Sequence, residues 1–229
     1  MRNYWSSFRR AIVIASIGLM ATSCYQKADK EHSDIAGIIP QQDNDCATRT
    51  IEAKRMSGKN DTMLIYINES RFRVPPDGEI ISPTGKKAFS IGIKSKIDKL
   101  YFLQKGTDIF LFISEKSETQ TTSYAKRINV ENGNIIWTAK IDGEAITRPT
   151  IKGQFAYIGA KGFIGKIKLK NGQYDWKYTS LNHDGRFDHF SDIDFINNHE
   201  VRYIAPHPYS MECDTVIIND ITGEILKTN

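Results

Sequence analysis

One pattern occurs twice in succession between residues 127 and 180, and it constrains the fold more than any other part of the chain. The copies run Arg127-Ile-Asn-Val-Glu-Asn-Gly-Asn-Ile-Ile-Trp137 and Lys166-Ile-Lys-Leu-Lys-Asn-Gly-Gln-Tyr-Asp-Trp176. Each alternates apolar and polar residues, passes through Asn-Gly and ends at a tryptophan. Asn-Gly between alternating residues predicts a β-hairpin with a type I′ turn, in which both central residues have positive φ. We therefore expect a hairpin that is used as a repeating unit.

The spacing of the repeat predicts how these hairpins are arranged. Trp137 and Trp176 lie 39 positions apart, and a strand-built period of this length is typical of a β-propeller or a related radial array. Short β-branched and aromatic runs continue along the chain, and no segment keeps a helical period beyond two turns. We expect an all-β fold, a small or incomplete β-propeller-like array of about four to five antiparallel sheets.

The two copies resemble the PQQ-like propeller repeat, whose docking motif reads Ala-x-Asp-x-x-Thr-Gly-x-x-x-Trp. Gly133 with Trp137, and Gly172 with Trp176, occupy the Gly and Trp positions at the spacing of the family. The resemblance implies that each motif closes one sheet, or blade, onto the next. It also implies that both tryptophans are packing residues rather than a stacking platform for a ligand.

Two weaker copies extend the resemblance. Near the end of the chain, Thr222 and Gly223 keep the Thr-Gly pair of the motif without its Trp, and a fainter copy spans Arg73–Ile81 around Gly78. Quinone-dependent enzymes of this family use adjacent cysteines and a calcium site, and this chain has no adjacent cysteines. We expect no cofactor.

The first 23 residues have the composition of an export signal. Arg2, Arg9 and Arg10 precede an apolar run over residues 11–21, which is shorter than the roughly 20 residues needed to span a bilayer. Without these arginines the chain is close to neutral. A neutral chain lacks the basic surface that nucleic-acid backbones attract, so nucleic acid is not an expected partner.

A lipid attachment site follows this signal. Ala21-Thr-Ser-Cys24 resembles the bacterial lipobox, which implies that Cys24 carries fatty acyl chains such as palmitate and anchors the mature chain to a membrane. The alternative is ordinary cleavage after Ser23, with Cys24 left as a thiol. Tyr25 after the cysteine is similar to lipoproteins of the outer membrane that face the periplasm. We expect a tether over residues 24–45 and the propeller-like domain over residues 46–229.

Two other cysteines remain once Cys24 is acylated. Cys46 and Cys213 form an even pair in an oxidising compartment. The first and last strands of a closed propeller commonly share a blade, so we expect these two to form a disulfide. Two free thiols are the alternative.

A polar stretch over residues 183–199 is the richest candidate for chemistry. Its carboxylates and imidazoles could hold a divalent cation or transfer protons, and Asp192 and Asp194 would share one face of a strand. The spacing of a calcium loop is absent, so a hydrated loop is the favoured interpretation. The candidate side chains are His183, Asp188, His189, Asp192, Asp194 and His199, with His207 further on.

The remaining patterns argue against catalysis by a nucleophile. The chain has no Gly-x-Ser-x-Gly elbow, phosphate-binding glycine loop or His-Glu-x-x-His helix. Lysine clusters over residues 94–99 and 161–170 are expected on solvated outer faces of strands.

These observations predict a non-enzymatic, lipid-anchored envelope protein that binds another protein through its propeller loops. One alternative is an immunity protein that neutralises a toxin delivered to the periplasm. Another is a metal-dependent hydrolase or lyase that uses the 183–199 loop.

Overall fold

The structure is a computed structural model that describes residues 47–56, 61–181, 185–207 and 212–229. These residues belong to one structural unit, residues 42–229. They form nineteen β-strands and contain no helix of the length and hydropathy needed to cross a bilayer. The strands are β1 Thr48–Arg49, β2 Ile51–Glu52, β3 Lys54–Arg55, β4 Met63–Ile67, β5 Ser70–Val74, β6 Glu79–Ile81, β7 Lys87–Ser90, β8 Lys96–Lys105, β9 Asp108–Lys116, β10 Thr121–Asn129, β11 Ile135–Ile141, β12 Thr150–Lys152, β13 Phe155–Ala160, β14 Phe163–Lys168, β15 Tyr174–Tyr178, β16 Asp192–Asn197, β17 Glu200–Pro206, β18 Cys213–Asn219 and β19 Ile225–Thr228.

The described strands form four antiparallel sheets, which follow one another along the chain. Sheet I has the order β3-β4-β5-β6-β7, and sheet II has the order β2-β8-β9-β10-β11 read from its other edge. Sheet III has the order β1-β12-β13-β14-β15, and sheet IV has the order β16-β17-β18-β19. The predicted fold class, an all-β and propeller-like array of antiparallel sheets, is confirmed.

The sheets stack through three apolar cores, one between each pair of successive sheets. Strand β9 shows why the middle sheets are apolar on both faces. Its Leu111 and Ile113 pack into the core between sheets I and II, whereas Phe112 packs into the core between sheets II and III. None of these three cores joins sheet IV to sheet I. In the described part of the chain, sheets I and IV each therefore keep one face that no other sheet covers.

Residues 48–55 form a strap across the first strands of three sheets. Strand β1 pairs with β12 of sheet III, β2 pairs with β8 of sheet II, and β3 pairs with β4 of sheet I. Arg49 also donates a 2.7 Å hydrogen bond to Asp192 of sheet IV. The expectation that the first and last strands share a sheet is therefore wrong for the described residues, since β19 pairs with β18.

The hairpin turns differ from the predicted type I′ geometry. At the two Asn-Gly pairs only the glycines have positive φ, +72° at both Gly133 and Gly172. The turn is longer than predicted, because each glycine N–H donates to the carbonyl four residues earlier. Positive φ at two successive residues occurs instead at Asn68 and Glu69, between β4 and β5.

Candidate protein-binding surface

The glycine of each repeat turn lies against an aromatic ring of the preceding sheet. A Cβ atom at Gly172 would lie 2.7 Å from Cε3 of Trp137, and a Cβ atom at Gly223 would lie 2.8 Å from Cβ of Trp176. The indole N–H of Trp137 donates to the Leu169 carbonyl at 2.9 Å, and that of Trp176 donates to the Asp220 carbonyl at 3.3 Å. Both carbonyls belong to the residue three positions before the glycine, so the two tryptophans have equivalent environments.

A third contact of this kind shows where the repeat of sheet I lies. A Cβ atom at Gly133 would lie 2.6 Å from the Cβ of Phe89, which takes the place of tryptophan. Phe89 follows Thr84-Gly85 at the spacing of the family motif. The fourth copy predicted over Arg73–Ile81 is therefore wrong. A motif that allows Phe at the Trp position would have identified the copy that ends at Phe89.

Lys166, at the first position of the second repeat, is buried rather than solvated. Its Nζ lies 3.0 Å from the carboxylate of Asp220 and 3.3 Å from that of Asp175, and it donates to the Asp220 carbonyl at 2.7 Å. The hydroxyl of Tyr157 donates to the same Asp220 carboxylate. The prediction that the lysines of residues 161–170 lie on solvated faces is wrong at this position. The group ties sheet III to sheet IV, and its polar atoms are occupied.

Arg127 stands at the equivalent position of the first repeat and makes a similar connection. Its guanidinium lies 2.5 Å from Asp108 within sheet II and donates to the Lys170 carbonyl of the next turn at 3.0 Å. Sequence reasoning missed these contacts because the family motif has alanine here. A basic residue at the same position of two repeats was the available signal.

The carboxylates of the 183–199 stretch are engaged by basic residues. Asp192 and Asp194 lie on one face of β16, as expected, and pair with Arg49 and Arg202 at 2.7 and 2.6 Å. Asp188 lies 4.0 Å from Lys161. His183 falls outside the described residues. The structure does not bring the predicted side chains together, and the described residues hold no cluster of three metal-ligating groups. A metal function stays a prediction.

The imidazoles of this stretch differ in setting. Burial and the nearby charge of Lys99 lower the pKa of His189. His199 lies in the turn between β16 and β17, and its backbone N–H donates to the side-chain oxygen of Asn197 at 2.8 Å.

Of the two cysteines predicted to form a disulfide, only Cys213 lies in the described residues. Cys213 is exposed at the start of β18. Cys46 and Cys24 both lie outside the described residues, so the disulfide and the acylation stay predictions.

A depression of about 550 Å³ lies beside sheet I. Asp61 on its wall is ion-paired with Lys96 and also with Arg55 at 3.0 Å. The hydrogen bond and charge of Lys96 hold the pKa of Asp61 below its usual value. The depression therefore presents a neutralised carboxylate. Its lining comprises Asp61, Pro76, Asp77, Ile93, Lys94, Ser95 and Lys96.

The uncovered face of sheet I has a different composition. Cross-strand pairing places Tyr66 opposite Arg71, and Leu64 opposite Arg73. Ile81 pairs with Arg73 from the other side. The alternate residues of β4 and β5 point into the core, so these five side chains share the outer face. We call this set, together with Lys54 opposite Leu64, the sheet I face.

The charges of the sheet I face lack carboxylate partners. Lys54, Arg71 and Arg73 make no ion pair among the described residues. Glu79, which lies on the same side of β6 as Ile81, pairs with Lys87 at 2.5 Å. Tyr66 is 48 % exposed on this face. The face therefore combines an exposed aromatic ring with unpaired positive charge.

The uncovered face of sheet IV provides a contrast. Ile204 and Ile217 are half-buried there, and Arg202, which lies opposite Ile217, is ion-paired. Arg202 makes a two-pronged contact with Asp194 at 3.0 and 2.6 Å. The arginine of the sheet IV face thus has a carboxylate partner, whereas Arg71 and Arg73 on the sheet I face have none among the described residues.

Comparison with known proteins gives likenesses of fold. No protein-family model matches the chain, and no curated protein matches it. Among solved structures it is similar to the computationally designed Ika8 protein, at 18% identity and a TM-score of 0.48, over 74% of this chain and 49% of that one. It is also similar to Sqt1 of Saccharomyces cerevisiae, at 16% identity and a TM-score of 0.45, over 85% of this chain and 50% of that one.

BamB from Moraxella catarrhalis is a further similar structure. The identity is 12% and the TM-score 0.28, over 80% of this chain and 79% of that one. The chain spans about half the length of the Ika8 and Sqt1 structures.

Proposed function

We propose that this chain is a non-enzymatic, lipid-anchored protein of the bacterial cell envelope that binds another protein, and that its repeats belong to the PQQ-like type. The export signal and the Ala21-Thr-Ser-Cys24 motif support the anchor. The acylated chain would be held at the outer membrane, facing the periplasm, by the tether over residues 24–45.

The sheet I face is the observation that carries the binding function. Every other sheet face in the described array is either packed in a core or, on sheet IV, has its arginine, Arg202, paired with Asp194. Tyrosine and arginine are enriched among the residues that dominate protein–protein binding energy. An exposed Tyr66 opposite Arg71, with Arg73 two positions further along β5, has this composition.

The charged clusters inside the array support a structural rather than a catalytic use of its polar residues. Lys166 is held by Asp175 and Asp220, and Arg127 is held by Asp108. A general acid or base must be able to exchange a proton with a substrate at hydrogen-bond distance. The contacts of these groups are with other parts of the chain.

The experiment is site-specific photo-crosslinking of the full-length lipoprotein in cells. A benzophenone amino acid is introduced at Tyr66, and at Leu226 on sheet IV as a control that is 45 % exposed. We expect a discrete higher-mass protein adduct from position 66 and none from position 226. No adduct at position 66, or equal adducts at both positions, contradicts the proposal.

The anchor is tested separately in the same cells. The Cys24→Ser variant is expected to lose label from radioactive palmitate and to leave the membrane fraction. The mass of the adduct at position 66 also separates the two kinds of partner. A toxin points to an immunity protein, whereas an envelope component points to a scaffold.

A further inference from the structure

We infer that the partner bound at the sheet I face presents an acidic protein surface; this inference rests on the proposed function and names the chemistry of its partner. Lys54, Arg71 and Arg73 give the face three positive charges without a carboxylate partner among the described residues. The Glu79 carboxylate, also on this face, is held by Lys87. A carboxylate that pairs with these three side chains would therefore come from outside the described residues.

The two arginines are placed for recognition of carboxylates. Arg71 and Arg73 alternate on β5, so their Cβ atoms are about 6.6 Å apart on one face. A guanidinium donates two parallel hydrogen bonds to a carboxylate, a geometry that lysine cannot reproduce. Two carboxylates at adjacent positions of a partner surface would bind Arg71 and Arg73, one to each guanidinium. Tyr66, beside Arg71, would pack against the apolar surface between these carboxylates.

The apolar residues of the face favour a protein over a lipid surface. The side chains of Leu64 and Ile81, which both lie opposite Arg73, are half-buried on the sheet I face. Insertion into a membrane interface requires an apolar side that can sink below the headgroups. A flat face with half-buried aliphatic residues is instead suited to packing against another protein.

A second copy of this chain is a poorer match. The carboxylates Asp192 and Asp194 on the uncovered face of sheet IV are already held by Arg49 and Arg202. Docking them on the sheet I face would bring two further arginines to the same carboxylates. The charges therefore favour a different, acidic protein.

The test combines charge reversal with the crosslinker at position 66. The variant is Arg71→Glu/Arg73→Glu, and the matched control is Lys140→Glu/Lys227→Glu. The control makes the same change in net charge at exposed lysines on sheets II and IV. We expect the adduct yield to fall at least about tenfold in the variant, because like charges at an interface cost several kcal/mol, and to stay unchanged in the control. Single Arg71→Glu repeats the test at an exposed position.

Two further measurements separate the possible outcomes. Arg71→Lys/Arg73→Lys keeps the charge and is expected to reduce the yield about threefold, because the bidentate contacts are lost. Raising NaCl from about 0.05 to about 0.5 M during capture by the purified lipoprotein is expected to release the partner, since screening shortens the range of charge interactions.

Each contrary outcome overturns a defined statement. If the adduct persists in Arg71→Glu/Arg73→Glu and the melting temperature is unchanged, the inference that the partner surface is acidic is wrong. The proposed binding function is not contradicted by that result. An adduct with phospholipid, or with a second copy of the chain, also overturns the inference of an acidic partner. No adduct in the wild-type protein overturns the binding function itself.

Discussion

Gly172 lies so close to Trp137 that a Cβ atom on the glycine would be 2.7 Å from the indole ring. The same relationship joins Gly223 to Trp176 and Gly133 to Phe89. Each repeat therefore joins two sheets through the absence of a side chain on one and a large aromatic ring on the other.

The first prediction concerns this close approach. Gly172→Ala is expected to lower the free energy of unfolding by about 3 kcal/mol, because positive φ and a clash with a ring act together. Gly153→Ala is the control, since φ is +57° there and nothing lies within 4 Å of the added atom. Its cost is expected to be about 1 kcal/mol. Urea titrations measure both values, and equal losses would contradict the packing role of Gly172.

The second prediction concerns the buried contact of Lys166 with Asp220. A double-mutant cycle with Lys166→Met and Asp220→Asn is expected to give a coupling energy of about 1–3 kcal/mol, because each single change removes one of two opposite charges that are in contact and buried. Lys177 and Asp142 pair at 2.8 Å with both side chains well exposed. The same cycle on that pair is expected to give below about 0.5 kcal/mol. Similar coupling in both cycles would contradict the account of the interface.

The third prediction concerns the strap over residues 48–55. The Ala53 N–H donates to the Leu100 carbonyl at 2.8 Å and links the strap to sheet II. Ala53→Pro removes this donor and is expected to cost about 3 kcal/mol or more, whereas Ala47→Pro, at an exposed position outside the strands, is expected to be close to neutral. Thermal melting checks both. A strap that tolerates proline at position 53 is not paired as described.

The fourth prediction concerns alkaline pH. Burial, with a smaller contribution from the charge of Glu52, raises the pKa of Tyr101 to about 12. Burial also raises the pKa of Tyr157, Tyr174 and Tyr203. A folded pKa above the unfolded value of 10.0 means that the folded state holds its proton longer. The stability from this effect is therefore complete below pH 10.0 and is lost as pH rises toward about 12.

Thermal melts between neutral pH and about pH 11 measure this loss, and Tyr101→Phe is expected to make the alkaline decline shallower. The hydroxyl of Tyr101 makes no hydrogen bond among the described residues, so the variant changes little else. An alkaline decline of unchanged slope would contradict burial of this hydroxyl.

The strand pattern and the repeat were sufficient to predict an all-β array, because both come from local alternation and turn residues. The sheet I repeat was misplaced because Phe89 replaces tryptophan and its turn reads Thr84-Gly85. The strap could not be predicted, since strands of two residues carry no periodicity.

The burial of Lys166 and the sheet I face depend on topology rather than on local sequence. The alternation of apolar and polar residues along a strand predicts the polar side for Lys166 and for Arg71 alike. Which of them meets a neighbouring sheet is decided by the order of sheets along the array. The sequence therefore indicates the side chains of the candidate surface but not that they remain uncovered.

Hydroxyl-radical footprinting of the full-length lipoprotein, alone and in complex with its captured partner, tests the central claim most directly. The account predicts that oxidation of Tyr66 falls strongly in the complex, while oxidation of the exposed Ile221 and Leu226 on sheet IV stays the same. Unchanged oxidation of Tyr66, together with protection of Ile221 and Leu226, would contradict binding at the sheet I face.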